Sequence, residues 1–344
     1  MKIKAAVLER IGALTIREVE SESLLPGQVL VKVLYSGICR SQLMEVRGMR
    51  GEDRWIPHLL GHEGAGTVIA IGQNVSKVDI GDDIILTWIR ADGLEAPGAT
   101  YSSSIGRLNS GPVTTFSNYT VVSENRLIKK PSGLPFDEAV LYGCALLTGG
   151  GLVINEIPTD RDTCILVLGL GGVGLSALLT LIALGYKNVI AADSSRSKIN
   201  FAEKLPIICA LDPTDTKFEG QIRGIAPDGV DVCIEAVGRT DTIELGFRLV
   251  KKGGGKLVFA SHPPSGDLIR IDPYDLISGK SISGTWGGAS HPDAVVPFLV
   301  ELLDPWREYS KTLIAKQYCL EEINIALDDL EAARTFRPLI AMDH

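Results

Sequence analysis

The sequence has no long hydrophobic run and no excess of positive charge. No uninterrupted apolar stretch approaches the roughly 18 residues of a membrane span, and charged residues break the N-terminal segment that a signal peptide would need. The formal net charge of −8 argues against a nucleic-acid partner or an anionic membrane surface, since both call for a basic face. We therefore expect a cytoplasmic protein that binds neither nucleic acid nor membrane.

Cysteine is also scarce. Six cysteines in 344 residues are not a disulfide framework, and in a reducing compartment a cysteine is more often buried, metal-bound or catalytic. Four of them lie in or beside predicted strands and helices and are interpreted as packing residues: Cys164, Cys209, Cys233 and Cys319. The other two, Cys39 and Cys144, lie within motifs and are candidates for chemistry.

The pattern of the chain changes near residue 146, and its length favours two domains. Residues 1–145 alternate short strands with Gly, Pro and Asp/Asn turns, which is typical of an antiparallel barrel-like domain. Residues 146–285 alternate apolar strands with helices, which predicts an α/β domain with a doubly wound parallel sheet. Residues 286–344 are predicted to return and complete the first domain.

A glycine-rich turn between a strand and a helix is the most informative segment. After the apolar run Ile165–Leu168, glycines follow in G-x-G-x-x-G register, and Leu175–Leu184 then has a helical pattern. The three glycines would allow a tight turn, close approach of a pyrophosphate, and close packing of helix on strand. The helix N-terminus would offer free N–H groups to phosphates. The predicted dinucleotide-binding loop comprises Gly169, Gly171, Gly172, Val173 and Gly174.

The next predicted strand, Val189–Ala192, ends in a carboxylate. Asp193 lies 19 residues past Gly174, close to the spacing of about 20 expected for the residue that hydrogen-bonds the adenosine ribose. Its charge would repel a 2′-phosphate, which favours NAD over NADP. Arg196 follows shortly after, and NADP sites use a nearby arginine, so NADP is the alternative cofactor. A βαβ unit with a tight turn and no ligand is the structural alternative.

Three further segments carry side chains suited to metal and proton chemistry. Residues 37–41 (GICRS) contain Cys39, residues 61–66 (GHEGAG) place His62 and Glu63 in a glycine-rich turn, and residues 143–149 (GCALLTG) contain Cys144. Taken singly, each has a structural explanation as a buried thiol, a hydrogen-bonded histidine or a solvated charge. Spacing alone does not unite segments so far apart.

Taken in order with the glycine-rich turn, these segments resemble the zinc-dependent medium-chain alcohol dehydrogenases along essentially the full chain. The Gly81-Asp82 pair and the late Ala-Val-Gly-Arg at 236–239 add to the resemblance. It implies a GroES-like β-rich catalytic domain and a Rossmann NAD-binding domain. It also implies a catalytic zinc held by two cysteines and one histidine. The implied activity is reversible hydride transfer between a small alcohol and NAD, giving an aldehyde or ketone.

The resemblance also implies roles for single residues. Cys39, His62 and Cys144 would bind the zinc, and Glu63 would be a near neighbour able to exchange onto the metal. Ser41 matches a proton-relay hydroxyl. The remaining matches concern the cofactor and the pocket: Arg40 and Arg337 match positions that pair with the pyrophosphate, Thr148 one packed against the nicotinamide, and Trp88 one that walls the substrate pocket.

The sequence departs from the family pattern at three places. Many relatives carry four cysteines around a structural zinc at the positions of residues 89–112, but this segment has none, so we expect one zinc per chain. Gln42 stands where an aspartate often supports the zinc-bound histidine, and an amide does not raise imidazole basicity as a carboxylate would. Met44 replaces a histidine that ends the proton relay in some relatives. If the polar 89–112 loop borders the active site, a polyol or sugar derivative is a conceivable substrate.

Two other functions are compatible with the same fold. A zinc-free enone or quinone reductase would not need the Cys39, His62 and Cys144 set, and a non-catalytic nucleotide-binding protein would need no chemistry at all. The presence of all three candidate ligands disfavours both. The family usually forms homodimers or homotetramers, and the sequence does not choose between them.

Overall fold

The computed structural model describes residues 1–314 and 316–344, which form two compact units. The first unit contains residues 1–147, 291–300 and the described part of 311–344, and the second contains residues 148–290 and 301–310. The sequence assigns all of 286–344 to the first domain, whereas the structure puts residues 286–290 and 301–310 in the second unit. A ring contact helps to hold residues 301–310 in the second unit: Tyr309 packs edge-to-face on Phe201 with centroids 6.0 Å apart.

The strands, in chain order, are β1 (Lys2–Arg10), β2 (Ala13–Ser21), β3 (Gln28–Gly37), β4 (His58–Leu59), β5 (Glu63–Ile71), β6 (Asp83–Thr87), β7 (Thr100–Ser103), β8 (Gly106–Asn109), β9 (Tyr119–Ser123), β10 (Leu127–Lys129), β11 (Ile165–Leu168), β12 (Val189–Ala192), β13 (Cys209–Leu211), β14 (Val232–Glu235), β15 (Lys256–Phe259), β16 (Ser281–Gly284), β17 (Gln317–Cys319) and β18 (Leu339–Ala341).

The α-helices are α1 (Arg40–Val46), α2 (Phe136–Ala139), α3 (Ala145–Glu156), α4 (Gly172–Ala183), α5 (Arg196–Ala202), α6 (Phe218–Ile225), α7 (Thr240–Leu249), α8 (Pro273–Ile277), α9 (Pro292–Leu303), α10 (Arg307–Lys311) and α11 (Ile323–Glu331). Within the described residues, no single helix has the length and apolar composition of a membrane span. The bent pair Phe136–Gly143 with Ala145–Glu156 meets those two criteria only when its halves are joined.

The first unit is built from a closed barrel and a second sheet. The barrel order is β1-β2-β7-β8-β4, and the second sheet runs β10-β6-β5-β3-β18-β17 with β9 also paired to β3. The alternating residues Val29, Val31 and Val33 of β3 are fully buried, as their period-two pattern predicts. The C-terminal strand β18 pairs antiparallel with β3, so the end of the chain extends the sheet formed by its beginning.

The second unit confirms the predicted doubly wound sheet. Its six strands are parallel in the order β13-β12-β11-β14-β15-β16, with β11 in the position of a first nucleotide-fold strand. The apolar pattern of residues 230–235 predicts a strand that begins at Val230, but β14 begins two residues later. Val230 forms only an isolated bridge with Val250, and the ladder to β11 begins at Val232.

The segment without cysteines folds as part of the barrel. Residues 100–109 form the antiparallel hairpin β7–β8, with Thr100 opposite Asn109. Tyr101 of this hairpin is fully buried, and its hydroxyl accepts a hydrogen bond from the Val121 amide at 2.9 Å. This part of residues 89–112 is therefore held by strand pairing and an apolar anchor.

Candidate active site

The structure brings the three sequence-predicted donors together at the ends of adjacent elements of the first unit. Cys39 is the N-cap residue of α1 and lies two residues after β3. His62 immediately precedes β5. The sequence placed both His62 and Glu63 in a turn, but Glu63 is the first residue of this strand. β3 and β5 are hydrogen-bonded neighbours, with Ser36 opposite Gly64, which places Cys39 and His62 at one edge. Cys144 directly precedes α3.

The glycine before each of two donors is required by close packing. Gly61 has a φ of +93°, and a Cβ there would lie 2.4 Å from the Thr115 hydroxyl oxygen. A Cβ on Gly143 would lie 2.3 Å from the Leu86 carbonyl oxygen of β6. The backbones next to His62 and Cys144 therefore approach their neighbours more closely than any larger residue allows.

The donor atoms are arranged as a metal site requires. The Cys39 and Cys144 sulfur atoms are 4.0 Å apart, and one ligand atom from each of Cys39, His62 and Cys144 lies within 4.8 Å of the others. Two thiolates on one tetrahedral zinc, with Zn–S distances of ~2.3 Å, would be about 3.8 Å apart. His62 Nε2 is buried and has no hydrogen-bond partner, as expected of a nitrogen placed to bind an ion. The residues present fit a zinc ion.

The two thiols influence one another strongly. The hydrogen bond from Cys144 holds the pKa of Cys39 well below its usual range, and the positive charges of Arg337 and His62 assist against the opposing effect of burial. The pKa of Cys144 is raised well above its usual range, because its thiol donates to Cys39 and is buried beside negative charge. The site therefore favours thiolate at Cys39, the form that binds metals.

Glu63 and Arg337 form a buried ion pair beside the three donors. Arg337 Nη2 donates to Glu63 Oε2 at 2.8 Å, and neither side chain is more than 4% exposed. The resemblance makes Glu63 a near neighbour able to exchange onto the metal; in the structure its Oε2 is paired with Arg337, and its carboxylate is not part of the three-donor group. Arg337, matched by sequence to a pyrophosphate contact, is engaged by Glu63. Burial opposes its charge, but the nearby negative groups hold its pKa well above the usual range.

The helix α1 carries further polar atoms next to Cys39. Ser41 Oγ and Gln42 Oε1 are buried without hydrogen-bond partners, and Met44 is buried. Arg40, in the first turn of α1, is exposed. The Trp88 ring lies with its centroid 6.2 Å from that of His62, so it is near the site as the resemblance implies.

In the second unit, the glycine-rich turn has the predicted form. Gly169 has a φ of +94°, and a Cβ on Gly174 would lie 1.7 Å from the Gly169 carbonyl oxygen. A Cβ on Gly171 would meet no protein atom within 4 Å. Gly172 and Val173 open helix α4, whose N-cap Gly171 provides no side-chain cap, so its first N–H groups are available to an anion.

Asp193 is held at the end of β12 by the loop itself. Its carboxylate accepts hydrogen bonds from the Leu170 amide at 2.7 Å and the Ser195 amide at 2.9 Å. Lys198 of α5 lies 3.4 Å from it, a neighbour that the sequence did not single out. The sequence could have pointed to Lys198, because it lies in the first turn of the helix that follows Asp193. Arg196 is exposed at the start of α5.

The remaining predicted residue, Thr148, lies in α3 with a buried hydroxyl that has no hydrogen-bond partner.

Sequence reasoning also missed Glu235 at the end of β14. Glu235 Oε1 accepts hydrogen bonds from the Val237 and Gly238 amides and from the Thr242 hydroxyl, which fixes the loop after that strand. Val237 in turn lies against Gly169, since a Cβ on that glycine would be 2.6 Å from it.

A cavity of about 360 Å³ opens beside His62 in the first unit. This His62 cavity is lined by Gln42 and Glu45 of α1, by Trp55 and residues 58–62, and by five residues between 109 and 114. His58, to which no motif points, is buried there with its Nε2 2.8 Å from Asp53 Oδ2. A cavity of this size is at the lower end of small-molecule sites, which span roughly 300–1,000 Å³.

Comparisons with known proteins agree with this architecture. Residues 25–132 match the family model of the alcohol dehydrogenase GroES-like domain, and residues 172–303 match that of the zinc-binding dehydrogenase. The crystal structure of benzyl alcohol dehydrogenase from Acinetobacter calcoaceticus is 26% identical over 100% of both chains, with a TM-score of 0.89.

Two other solved structures share the fold and hold different cofactors. One is a putative zinc-binding dehydrogenase from Sinorhizobium meliloti 1021 bound to NADP, with 23% identity over 99% of each chain and a TM-score of 0.79. The other is an alcohol dehydrogenase from Escherichia coli CFT073 complexed with NADH, with 22% identity over 99% of each chain and a TM-score of 0.82. The two family models, the full-length match and the fold together show that this chain belongs to the medium-chain, zinc-type alcohol dehydrogenase family, whose fold supports oxidoreduction of alcohols.

Proposed function

We propose that this protein is a zinc- and NAD-dependent dehydrogenase that reversibly oxidises a small alcohol to an aldehyde or ketone. The observation that carries the proposal is the convergence of Cys39, His62 and Cys144 on one point. Two thiolates and one imidazole are a catalytic zinc donor set that leaves a position for substrate. Zinc held there would act as a Lewis acid on the substrate oxygen. A zinc-free reductase has no use for these three donors.

The oxidation removes two hydrogens from the alcohol. Bound NAD would supply the acceptor for the carbon-bound hydrogen and its electron pair, and the hydroxyl hydrogen would leave as a proton. Ser41 is suited to receive that proton because its buried Oγ has no other partner. Met44 has no group that can take the proton further, so we propose that it passes to cofactor ribose or water.

The second unit offers the groups that would hold the dinucleotide. A Cβ on Gly171 would meet open space, and its backbone conformation does not require glycine. We therefore attribute the glycine to close approach of a pyrophosphate. The uncapped start of α4 would bind the phosphates. The fixed carboxylate of Asp193 suits a ribose hydroxyl and repels a 2′-phosphate, which favours NAD despite Lys198 nearby.

The test combines metal analysis with turnover. The purified protein should hold close to one zinc per chain and reduce NAD with a panel of alcohols, followed by NADH absorbance. Cys39→Ser should lose both the metal and the turnover, while Cys209→Ser, a half-buried cysteine of β13, should keep both. Full turnover by the Cys39→Ser variant would favour the zinc-free reductase. NADH binding without turnover of any alcohol would favour a non-catalytic protein.

We also propose that the chain forms a homodimer or homotetramer through the outer edge of the second unit. β16 is an edge strand of the parallel sheet. The segment around it exposes large apolar side chains, with Leu268 84%, Ile277 80% and Trp286 79% accessible. An open strand edge flanked by exposed apolar groups favours pairing with another chain.

A further inference from the structure

The His62 cavity contains acceptor groups that the reaction described above does not use. Gln42 and Glu45 both line it and lie three residues apart on α1, so they share one face of that helix. Gln42 is 4% exposed, and its Oε1 has no hydrogen-bond partner. A buried acceptor of this kind costs free energy unless a ligand or water supplies a donor. The cavity is therefore short of hydrogen-bond donors at this wall.

The second acceptor is the carboxylate of Glu45. Its Oε2 accepts a hydrogen bond from Arg50 at 3.2 Å, while its Oε1 lies 3.9 Å from His58 Nε2, too far for a hydrogen bond. Glu45 Oε1 can thus take a donor from a molecule in the cavity. Since Gln42 and Glu45 are neighbours on α1, one small ligand can reach both acceptors.

The carboxylates around the cavity already have partners within the protein. Arg50 pairs with Glu45, and the ring nitrogens of His58 face the Asp53 carboxylate at 2.8 Å and the Leu59 carbonyl at 3.0 Å. Both ring nitrogens of His58 are therefore occupied by protein groups, and the Asp53 carboxylate has a partner within the protein. Among the described residues, no lysine or arginine lines the cavity, so an anionic ligand finds no partner there. A neutral donor, the hydroxyl group, fits better than an ammonium or a carboxylate.

We propose that the substrate is a neutral polyol, with one hydroxyl at the three-donor site, a neighbouring hydroxyl that donates to Gln42 Oε1 and a further hydroxyl that donates to Glu45 Oε1. This inference rests on the proposed alcohol dehydrogenase function. Trp55, Leu60 and Val113 would cover the carbon chain. Asn109 and Ser110 add polar groups to the cavity wall. Asn109 ends strand β8 and Ser110 follows it, within the 89–112 segment that lacks the four cysteines of many relatives.

The first experiment compares alcohols that differ at one group. 2,3-Butanediol, 3-methyl-2-butanol and 3-amino-2-butanol carry a hydroxyl, a methyl and an ammonium at the same carbon. The diol should have a kcat/KM at least about tenfold above the methyl analogue, since it gains one hydrogen bond of ~0.5–1.5 kcal/mol and does not leave the buried Gln42 Oε1 unpaired. Five- and six-carbon polyols should be turned over as well, because the cavity has room for them.

The second experiment removes the acceptors with near-isosteric changes. Gln42→Met should lower the diol-to-methyl ratio of kcat/KM by about three- to tenfold, because only the diol has that hydrogen bond to lose. Glu45→Met should lower the ratio of kcat/KM for a five-carbon polyol to that for the diol by a similar factor, because only the longer polyol has a further hydroxyl for Glu45. Glu52→Met is the matched control, since Glu52 is exposed and lies outside the cavity lining. Zinc content is measured for every variant, so that a change in metal binding near Cys39 is separated from a change in specificity.

Binding is also followed without turnover. Trp55 lines the cavity, so 2,3-butanediol should change the tryptophan fluorescence of the zinc-loaded protein, and Trp55→Phe should remove that change. If the methyl or ammonium analogue is preferred, or if neither Gln42→Met nor Glu45→Met changes its ratio, the polyol inference fails while alcohol oxidation stands. If the zinc-loaded protein oxidises no alcohol in the panel, the proposed function itself fails.

Discussion

Buried polar atoms without hydrogen-bond partners gather around Cys39. Ser41 Oγ, His62 Nε2, Glu63 Oε1 and Arg337 Nε are all of this kind. An unsatisfied buried polar atom costs about 1–3 kcal/mol, so a fold that keeps four of them in one place carries a local penalty. A bound ion and an alcohol would satisfy the first two of these atoms, which is the physical reason for assigning the site to chemistry.

The ion pair between Glu63 and Arg337 gives a prediction for a single residue. Arg337→Gln leaves a buried carboxylate without its cation, and we expect a loss of about 3–5 kcal/mol in the free energy of unfolding, measured with urea. The exposed pair of Lys2 and Glu18 is the comparison, since Lys2→Gln should cause no measurable change. Equal effects of the two substitutions would contradict this view of the buried pair.

Glu235 gives a prediction for pH. Burial raises the pKa of this carboxyl above its usual value despite the three hydrogen bonds it accepts. The folded state then holds its proton to higher pH than the unfolded chain, so ionisation weakens the fold as pH rises through that interval. Glu235→Gln cannot ionise, and its amide oxygen can accept the same hydrogen bonds.

The difference in thermal midpoint, Glu235→Gln minus the parent protein, should therefore increase as the pH rises from 4 to 7. The measurement is differential scanning calorimetry of both proteins across that range. A difference in midpoint that stays constant with pH would show that the charge of Glu235 is not the cause.

At the scale of elements, sequence patterns predicted the buried strands best. The bounds of β11 and β12 are as predicted, because strands buried on both faces appear as short continuous apolar runs. β13 and β16 were missed because they are short and only partly buried, so their sequences carry little periodicity. α1 was missed because its seven residues begin only three positions after the end of β3 and are too few to show a clear helical period.

The glycine turn between β11 and α4 gives a prediction at this scale. Gly174→Ala would force a Cβ to within 1.7 Å of the Gly169 carbonyl oxygen, so we expect a loss of at least ~1–3 kcal/mol and weaker NAD binding. Gly224 of α6 is the matched control, because a Cβ there meets nothing within 4 Å. Gly224→Ala should instead stabilise the protein by roughly 0.5–1 kcal/mol.

Thermal unfolding and fluorescence titration with NADH measure the two effects. If the turn packs as described, Gly174→Ala lowers the free energy of unfolding and Gly224→Ala raises it. If Gly174→Ala were as stable as the parent and bound NADH equally well, the close packing of α4 on β11 would not be needed for the cofactor.

For the whole molecule, the prediction concerns self-association. Replacing both Ile277 and Trp286 by serine should lower the mass measured by light scattering after size exclusion, because it removes exposed apolar surface beside β16. Ile80→Ser is the control, since Ile80 is 65% exposed but belongs to the first unit. A monomeric parent protein, or an unchanged mass in the double variant, would exclude this edge as the interface.

The sequence by itself determined the local features of this protein: the period of its strands, the positions where only glycine fits, and the residue types able to bind zinc and a dinucleotide. Tertiary structure decided which distant residues meet. Cys39, His62 and Cys144 come together because β3 pairs with β5 and because Gly143 packs on β6, and neither contact can be read from spacing. Glu63 and Arg337 lie 274 residues apart and pair only because β18 returns to β3. Periodicity is a local property of the chain, whereas a site made of long-range contacts depends on which strands become neighbours.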